Sequence, residues 1–218
     1  MKIEVLKNIT SANDAVAARN RQILDNYKVL TLNVMSSPGA GKTSLILQTI
    51  GRLKNELRLA VVEGDVASKI DADRIDKEGI PVVQINIGAS CSLEAHMITP
   101  ALDKLPLQNI DLLFIENVGN LICPAEFALG EHKKVVISSI PEGDDKPAKY
   151  PLMFTEADAV IINKLDLLPY VEFDLAGFRR TIEGLNPKVK MFEVSCKTGD
   201  GIDAWCSWVS TETKSSQV

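Results

Sequence analysis

The chain has 218 residues, enough for one sizeable α/β core, and its 45% hydrophobic and 24% charged content is that of an ordinary globular protein. A net charge of −5 excludes the basic excess of a duplex DNA or RNA binder and gives no reason to invoke an anionic membrane surface. Four cysteines (Cys91, Cys123, Cys196 and Cys206) do not make a secreted disulfide framework, and no apolar run reaches about 18 residues, so a cytoplasmic protein with reduced thiols is expected.

Residues 10–27 predict a helix, with Ser11 or Asn13 as candidate caps and Ala15, Val16, Ile23 and Leu24 on its apolar side. Seven short apolar runs follow: 29–35, 59–63, 81–87, 111–116, 134–140, 159–164 and 190–195. Most are β-branched and nearly continuous in apolarity, as befits strands covered on both faces. Helical patterns intervene after Lys42, over Ala72–Glu78, over Leu93–Leu102 and through Asp174–Leu185. The alternation predicts an α/β P-loop NTPase with a doubly wound, mostly parallel seven-stranded sheet, its ligands at the carboxyl ends of the strands. No linker interrupts it, so 1–218 is expected to be one domain, with a helical segment over 1–28 and a polar tail over 211–218 that frays.

The run from the first strand into the next helix reads MSSPGAGKTSL. The phosphate-loop pattern is G-x-x-x-x-G-K-[ST], and here Ser36 replaces the first glycine. Backbone amides of Ser37, Pro38's neighbours, Gly39, Ala40 and Gly41 would face phosphate oxygens, with Ser44 just beyond. Lys42 would reach the β- and γ-phosphates, and the Thr43 hydroxyl would ligate Mg2+. An ordinary Gly-rich turn is the competing reading, weakened by the strand before GAGKT and the helix after it.

Guanine is indicated by NKLD, where Asp166 can accept hydrogen bonds from N1–H and the exocyclic amine. Asn163 would tie loops together, and Lys164 would lay its stem along the base. The later SCKTG supplies Ser195, Cys196 and Lys197 to the guanine carbonyl side. Glu116 and Asp71 are candidates for Mg2+ or water positioning, Asp65 less so, and Gly119 could turn its amide to a γ-phosphate. No arginine finger is evident, so slow GTP hydrolysis to GDP is expected.

Cys91, His96 and Cys123 lie just beyond strand ends on this same edge. Thiolate and imidazole suit Ni2+ or Zn2+ and not Mg2+. Each residue also has a bland reading, as a small buried thiol or a structural histidine. Cys196 goes with the base loop, and Cys206 with Trp205 and Trp208 reads as core of the last helix.

These residues together resemble the hydrogenase-maturation nickel GTPases of the HypB type, a SIMIBI-class P-loop family. The resemblance rests on MSSPGAGKTSL, EGDV, GASCSLEAHMI, LLFIENVGNLICPAEFALGEH, SSIPEGDDKP and NKLDLL. It implies a GTP-dependent homodimer with a shared nickel or zinc site near the switches, delivering nickel to the hydrogenase large subunit alongside a nickel-handling accessory protein. Cys91 and Cys123 match the family's ligand positions. Where the family usually reads Cys-His, this chain reads Cys91-Ser92, and His96 is the expected substitute ligand. The N-terminus lacks the Cys-rich and His-rich stretches of some members, so storage of many nickel ions is not expected. Two alternatives remain: a GTP-dependent binding switch without metal traffic, and a urease-type accessory GTPase, whose Cys-Pro-His contrasts with Cys123-Pro124-Ala125 here.

Overall fold

A computed structural model describes residues 9–65, 70–88 and 90–217. All seven predicted strands form: β1 (Leu30–Ser36), β2 (Leu59–Asp65), β3 (Val82–Asn86), β4 (Leu112–Gly119), β5 (Lys133–Ser139), β6 (Ala159–Asn163) and β7 (Lys190–Glu193). The helices among the described residues are α1 (Ile9–Asn26), α2 (Lys42–Leu53), α3 (Ile70–Asp76), α4 (Ala95–Leu102), α5 (Cys123–Glu126), α6 (Lys146–Lys149), α7 (Pro151–Thr155), α8 (Leu175–Leu185) and α9 (Ile202–Ser216). None is long and apolar enough to cross a membrane.

The strands make one sheet in the order β3-β2-β4-β1-β5-β6-β7, with every pairing parallel. Its two-residue period sends alternate side chains into opposite layers. Leu30, Leu32 and Val34 of β1 join Leu45, Ile46 and Ile50 of α2 and Trp205 and Val209 of α9. On the other face, Leu113 and Ile115 of β4 pack with Leu24 of α1 and Ile98 of α4. Val160 and Ile162 of β6 pack there with Phe154 of α7 and Phe178 of α8. Between these last two apolar clusters β1 presents Thr31 and Asn33, both fully buried.

Connections from β1 lead toward β2 and those from β4 lead toward β5, although β1 and β4 are neighbours. Their diverging carboxyl ends leave the crevice in which such sheets bind ligands. The ladder between them breaks register after Val34, and Ser36 then pairs with Gly119.

Two expectations are corrected. Residues 211–216 do not fray but complete α9, because Thr213 extends the buried stripe of Trp205 and Val209. Gln217 is then held at both ends, its carbonyl by Lys28 Nζ at 2.7 Å and its amide by Asp111 Oδ1 at 3.0 Å. Ser11 and Asn13 lie inside α1, which already begins at Ile9, and Asn13 bonds to Ala128 and Ala95. The part of the N-terminal segment before residue 9 and Val218 lie outside the described residues.

Candidate nucleotide and metal site

The turn between β1 and α2 follows from its glycines. Gly39 and Gly41 sit at φ 75° and 109°, a region that side-chain-bearing residues avoid. Ser36, which replaces the pattern's first glycine, stays in β1 and needs no such freedom. Lys42 folds back to donate to Ser36 Oγ at 3.3 Å. Burial pushes its pKa down, against the opposing charges of Glu116, Asp71, Glu142 and Glu63. A buried ammonium with acids on one side is ready to take phosphate oxygens on the other.

Thr43 Oγ1 donates to Glu116 Oε1 at 2.7 Å. The other Glu116 oxygen is buried and has no partner among the described residues, as is one oxygen of Glu63. Glu63 lies opposite Glu116 in the β2–β4 ladder. Burial first, then the Glu116 charge, pushes the Glu63 carboxyl up to about 8. Burial likewise raises Glu116 to about 7, with Lys42 and the Thr43 bond pulling the other way. Two dry, unpaired carboxyl oxygens beside a threonine hydroxyl fit a hard divalent cation, and Mg2+ is commonly held by one or two carboxylates plus phosphate oxygens. Thr43 and Glu116 are the residues that would hold it.

Asp71 stands at the lip of the same cleft, on α3, where it accepts from Arg74 Nη1 at 3.0 Å. Asp65 lines the cleft too. Gly119 lies under the phosphate loop, and a Cβ there would press on Pro38 at 2.7 Å from its Cα.

On the loop's other side, Asn163 joins three segments. Its Nδ2 donates to Ala40 O at 2.8 Å, and its Oδ1 accepts from Cys196 N at 3.2 Å. Lys164, at φ 61°, turns its Nζ to Gly39 O at 2.7 Å, which lays the stem across the mouth of the pocket. Ser195 Oγ donates to Asp166 Oδ1 at 2.6 Å and leaves the second carboxylate oxygen for a ligand. The resulting cavity, about 390 Å³, is lined by Ser44, Asp166, Leu167, Cys196 and Lys197 among others. Burial raises the Cys196 thiol to about 11, and the residue forms part of the wall of this pocket.

The cleft on the Glu116 side, about 450 Å³, runs from Lys42 past Gly119 to Cys91. Cys91 is exposed, and Cys123, which opens α5, is partly buried. The two thiols meet: a hydrogen bond with Cys91, then burial, then the Cys91 charge raise the Cys123 pKa. Asn120 Nδ2 donates to Cys91 O at 3.1 Å and holds the two loops together.

His96 does not join them. Its ring lies 3.4 Å from Glu94 Oε2, in a groove with Val83, Ile85 and Met97 beside β3. Helix was expected over Leu93–Leu102, with His96 one turn beyond Ser92, but α4 begins only at Ala95 and Glu94 is extended, at φ −124° and ψ 156°. Ser92 and His96 therefore do not share a helical face. No three His, Cys, Asp or Glu side chains among the described residues converge as a metal cluster. Sequence reasoning also passed over Glu63, Asn117 and Arg74. Only the first carried a signal, as the acid of EGDV at a strand end.

The CobW/HypB/UreG nucleotide-binding-domain family matches residues 30–193. The chain is similar to the hydrogenase maturation factor HypB of Escherichia coli, 45% identical over 210 residues that cover 96% of this chain and 72% of that protein. Among solved structures it resembles HypB from Helicobacter pylori in complex with nickel, at a TM-score of 0.89 and 38% identity over 94% of this chain and 96% of that one. HypB from Archaeoglobus fulgidus gives a TM-score of 0.88 and 40% identity over 93% and 99%.

Proposed function

The chain belongs to the HypB hydrogenase maturation factors within the CobW/HypB/UreG family, and from that premise we propose that it is a GTP-hydrolysing metallochaperone. It takes up nickel or zinc at a thiol site shared across a two-fold dimer and assists nickel insertion into nickel-iron hydrogenase. The observation that carries this reading is that Cys91, which lines the same cleft as Lys42 and Glu116, neighbours Cys123.

Amides of the loop from Ser37 to Gly41 and the Lys42 ammonium bind the phosphates, and Asp166 selects guanine. Thr43 and Glu116 would hold Mg2+, which would neutralise charge on the phosphate oxygens. Asp71 orients the attacking water, and the Gly119 amide faces the γ-phosphate. Loss of that phosphate loosens the loops after β2 and β4, and with them the thiol rim. The partners are a second copy, a nickel-handling accessory protein and the hydrogenase large subunit.

Equilibrium dialysis of Ni2+ and Zn2+ against the wild type, Cys91→Ala and Cys123→Ala, with and without a GTP analogue, tests the proposal. Native mass spectrometry then counts subunits and metal. Undiminished metal binding by both variants would remove the metal arm. A second reading, a GTP-dependent binding switch with no metal traffic, is favoured by the two-thiol supply per chain once His96 is elsewhere. A metal-free dimer formed with the GTP analogue would support it.

A further inference from the structure

Polar side chains in the seam between the two apolar clusters form a run of hydrogen bonds that none of the steps above uses. Asn117 is fully buried, and its Oδ1 accepts from the Leu93 amide at 3.1 Å and the Val118 amide at 3.0 Å. Its Nδ2 donates to Asn33 Oδ1 at 3.2 Å, and Asn33 Nδ2 donates to Glu131 Oε1 at 3.2 Å. The second Glu131 oxygen accepts from Leu129 N at 2.7 Å. Asn20 of α1 then donates to both Leu129 O at 3.0 Å and Ala95 O at 2.9 Å, which closes the circuit. Asn13 spans the same gap again, between Ala95 N at 2.9 Å and Ala128 O at 2.8 Å.

The circuit ties down both cysteine segments. Leu93 follows Cys91 by two residues, and Ala128 follows Cys123 by five. A buried polar group left unpaired is costly, so the members hold one another in a single arrangement. Asn117 has a position no other member shares. It directly follows Glu116, which takes the Thr43 hydroxyl, and stands two residues before Gly119, which packs under Pro38. Asn117 bonds the end of β4 directly to the Leu93 amide, beside the Asn120 bond to Cys91 O.

We propose that Asn117 is a positioning residue that fastens the Cys91 loop to the carboxyl end of β4 and so sets the Cys91–Cys123 spacing according to the nucleotide bound. Its dependence on nucleotide rests on the GTPase reading above; the fastening itself does not.

Dibromobimane becomes fluorescent on bridging two nearby thiols, so its peptide-mapped Cys91–Cys123 adduct reads the spacing in metal-free protein. The rate is compared for wild type, Asn117→Ala and Asn117→Asp, each with GDP and with a non-hydrolysable GTP analogue. Asn117→Ala is expected to slow bridging at least about threefold and to erase the difference between nucleotides. Asn117→Asp keeps an acceptor for Leu93 and Val118 while losing donation to Asn33, and is expected to restore the wild-type rate. A seam that is merely structural would lower the melting temperature of both variants and leave bridging unchanged, which overturns the proposal. Hydrogen exchange at the Leu93 amide of the wild type needs no variant to fold. Protection that rises with the GTP analogue supports the link, and identical protection in both states overturns it. Failure of the wild type to bind metal would sink the delivery reading alone, because bridging is measured without metal.

Discussion

At Gly41 an added Cβ would collide with Asn163 Nδ2, the atom that donates to Ala40 O, and the backbone there is at φ 109°. Gly41→Ala therefore strains a left-handed residue, by about 1–2 kcal/mol, and displaces the side chain that joins the phosphate and base loops. GDP affinity should fall at least about tenfold in a fluorescent-nucleotide titration, and an unchanged affinity would contradict this geometry. Asp166→Asn tests the base pocket separately. Asparagine offers one acceptor where the carboxylate offered two oxygens, so GDP should weaken about 100-fold in competition binding while adenine nucleotides stay as poor as before. Both loops could be singled out because GAGKT and NKLD are contiguous motifs, and the fold joins them through Asn163 and Lys164. Glu63 was not, since only the β2–β4 pairing sets it opposite Glu116. Asn117 was hidden for the same reason, its partners Leu93 and Asn33 being 24 and 84 residues away. His96 stands apart from the two cysteines because α4 begins at Ala95, two residues later than its expected start at Leu93.

Among the elements, one imidazole links α1 to β1. His132 Nδ1 accepts from the Thr31 amide at 3.0 Å, and its Nε2 lies 2.8 Å from Asp25 Oδ1 on α1. A backbone N–H can only donate, so the neutral ring carries its proton on Nε2 and gives it to Asp25. Burial depresses the His132 pKa, with Asp25 opposing. A base depressed on folding binds fewer protons in the folded chain, so its contribution is complete above about pH 6.5 and is lost as pH falls through the folded value. The melting temperature of the wild type should drop between pH 7 and 5. His132→Gln should start lower, by about 1–3 kcal/mol, and show a flatter profile over that range in thermal scans. The strands were legible for a general reason: runs covered on both faces are apolar throughout, and all seven lie where those runs do. Helices α6 and α7 were not, being short and opened by Pro147 and Pro151 in a polar stretch. The end of α9 was misjudged by composition, because one buried threonine in a polar tail is enough to keep the last turns on the core.

Over the whole molecule, phosphate loop, base pocket and thiol pair occupy one edge of the sheet, so nucleotide state and thiol geometry share a boundary. Each chain brings two thiols to that boundary, while Cys196 lines the Asp166 pocket and Cys206 is packed in the core with Trp205. With Ser92 buried and His96 turned to the β3 side, the proposed two-fold dimer would bring together four thiolates, from two copies of Cys91 and Cys123. Tetrahedral all-thiolate sites suit Zn2+, which has no geometric preference of its own, better than Ni2+, which favours a planar array. The isolated protein should therefore bind one Zn2+ per two chains, more tightly than Ni2+, in competition with a chromophoric chelator. The Cys123 pKa is raised, so uptake must expel protons and affinity must climb between pH 6.5 and 8.5. Co2+ in the same site should show intense sulfur-to-metal charge transfer that Cys91→Ser and Cys123→Ser each weaken. A stoichiometry of one metal per chain, or a preference for Ni2+ that is flat with pH, would mean that nitrogen or oxygen ligands from elsewhere complete the site.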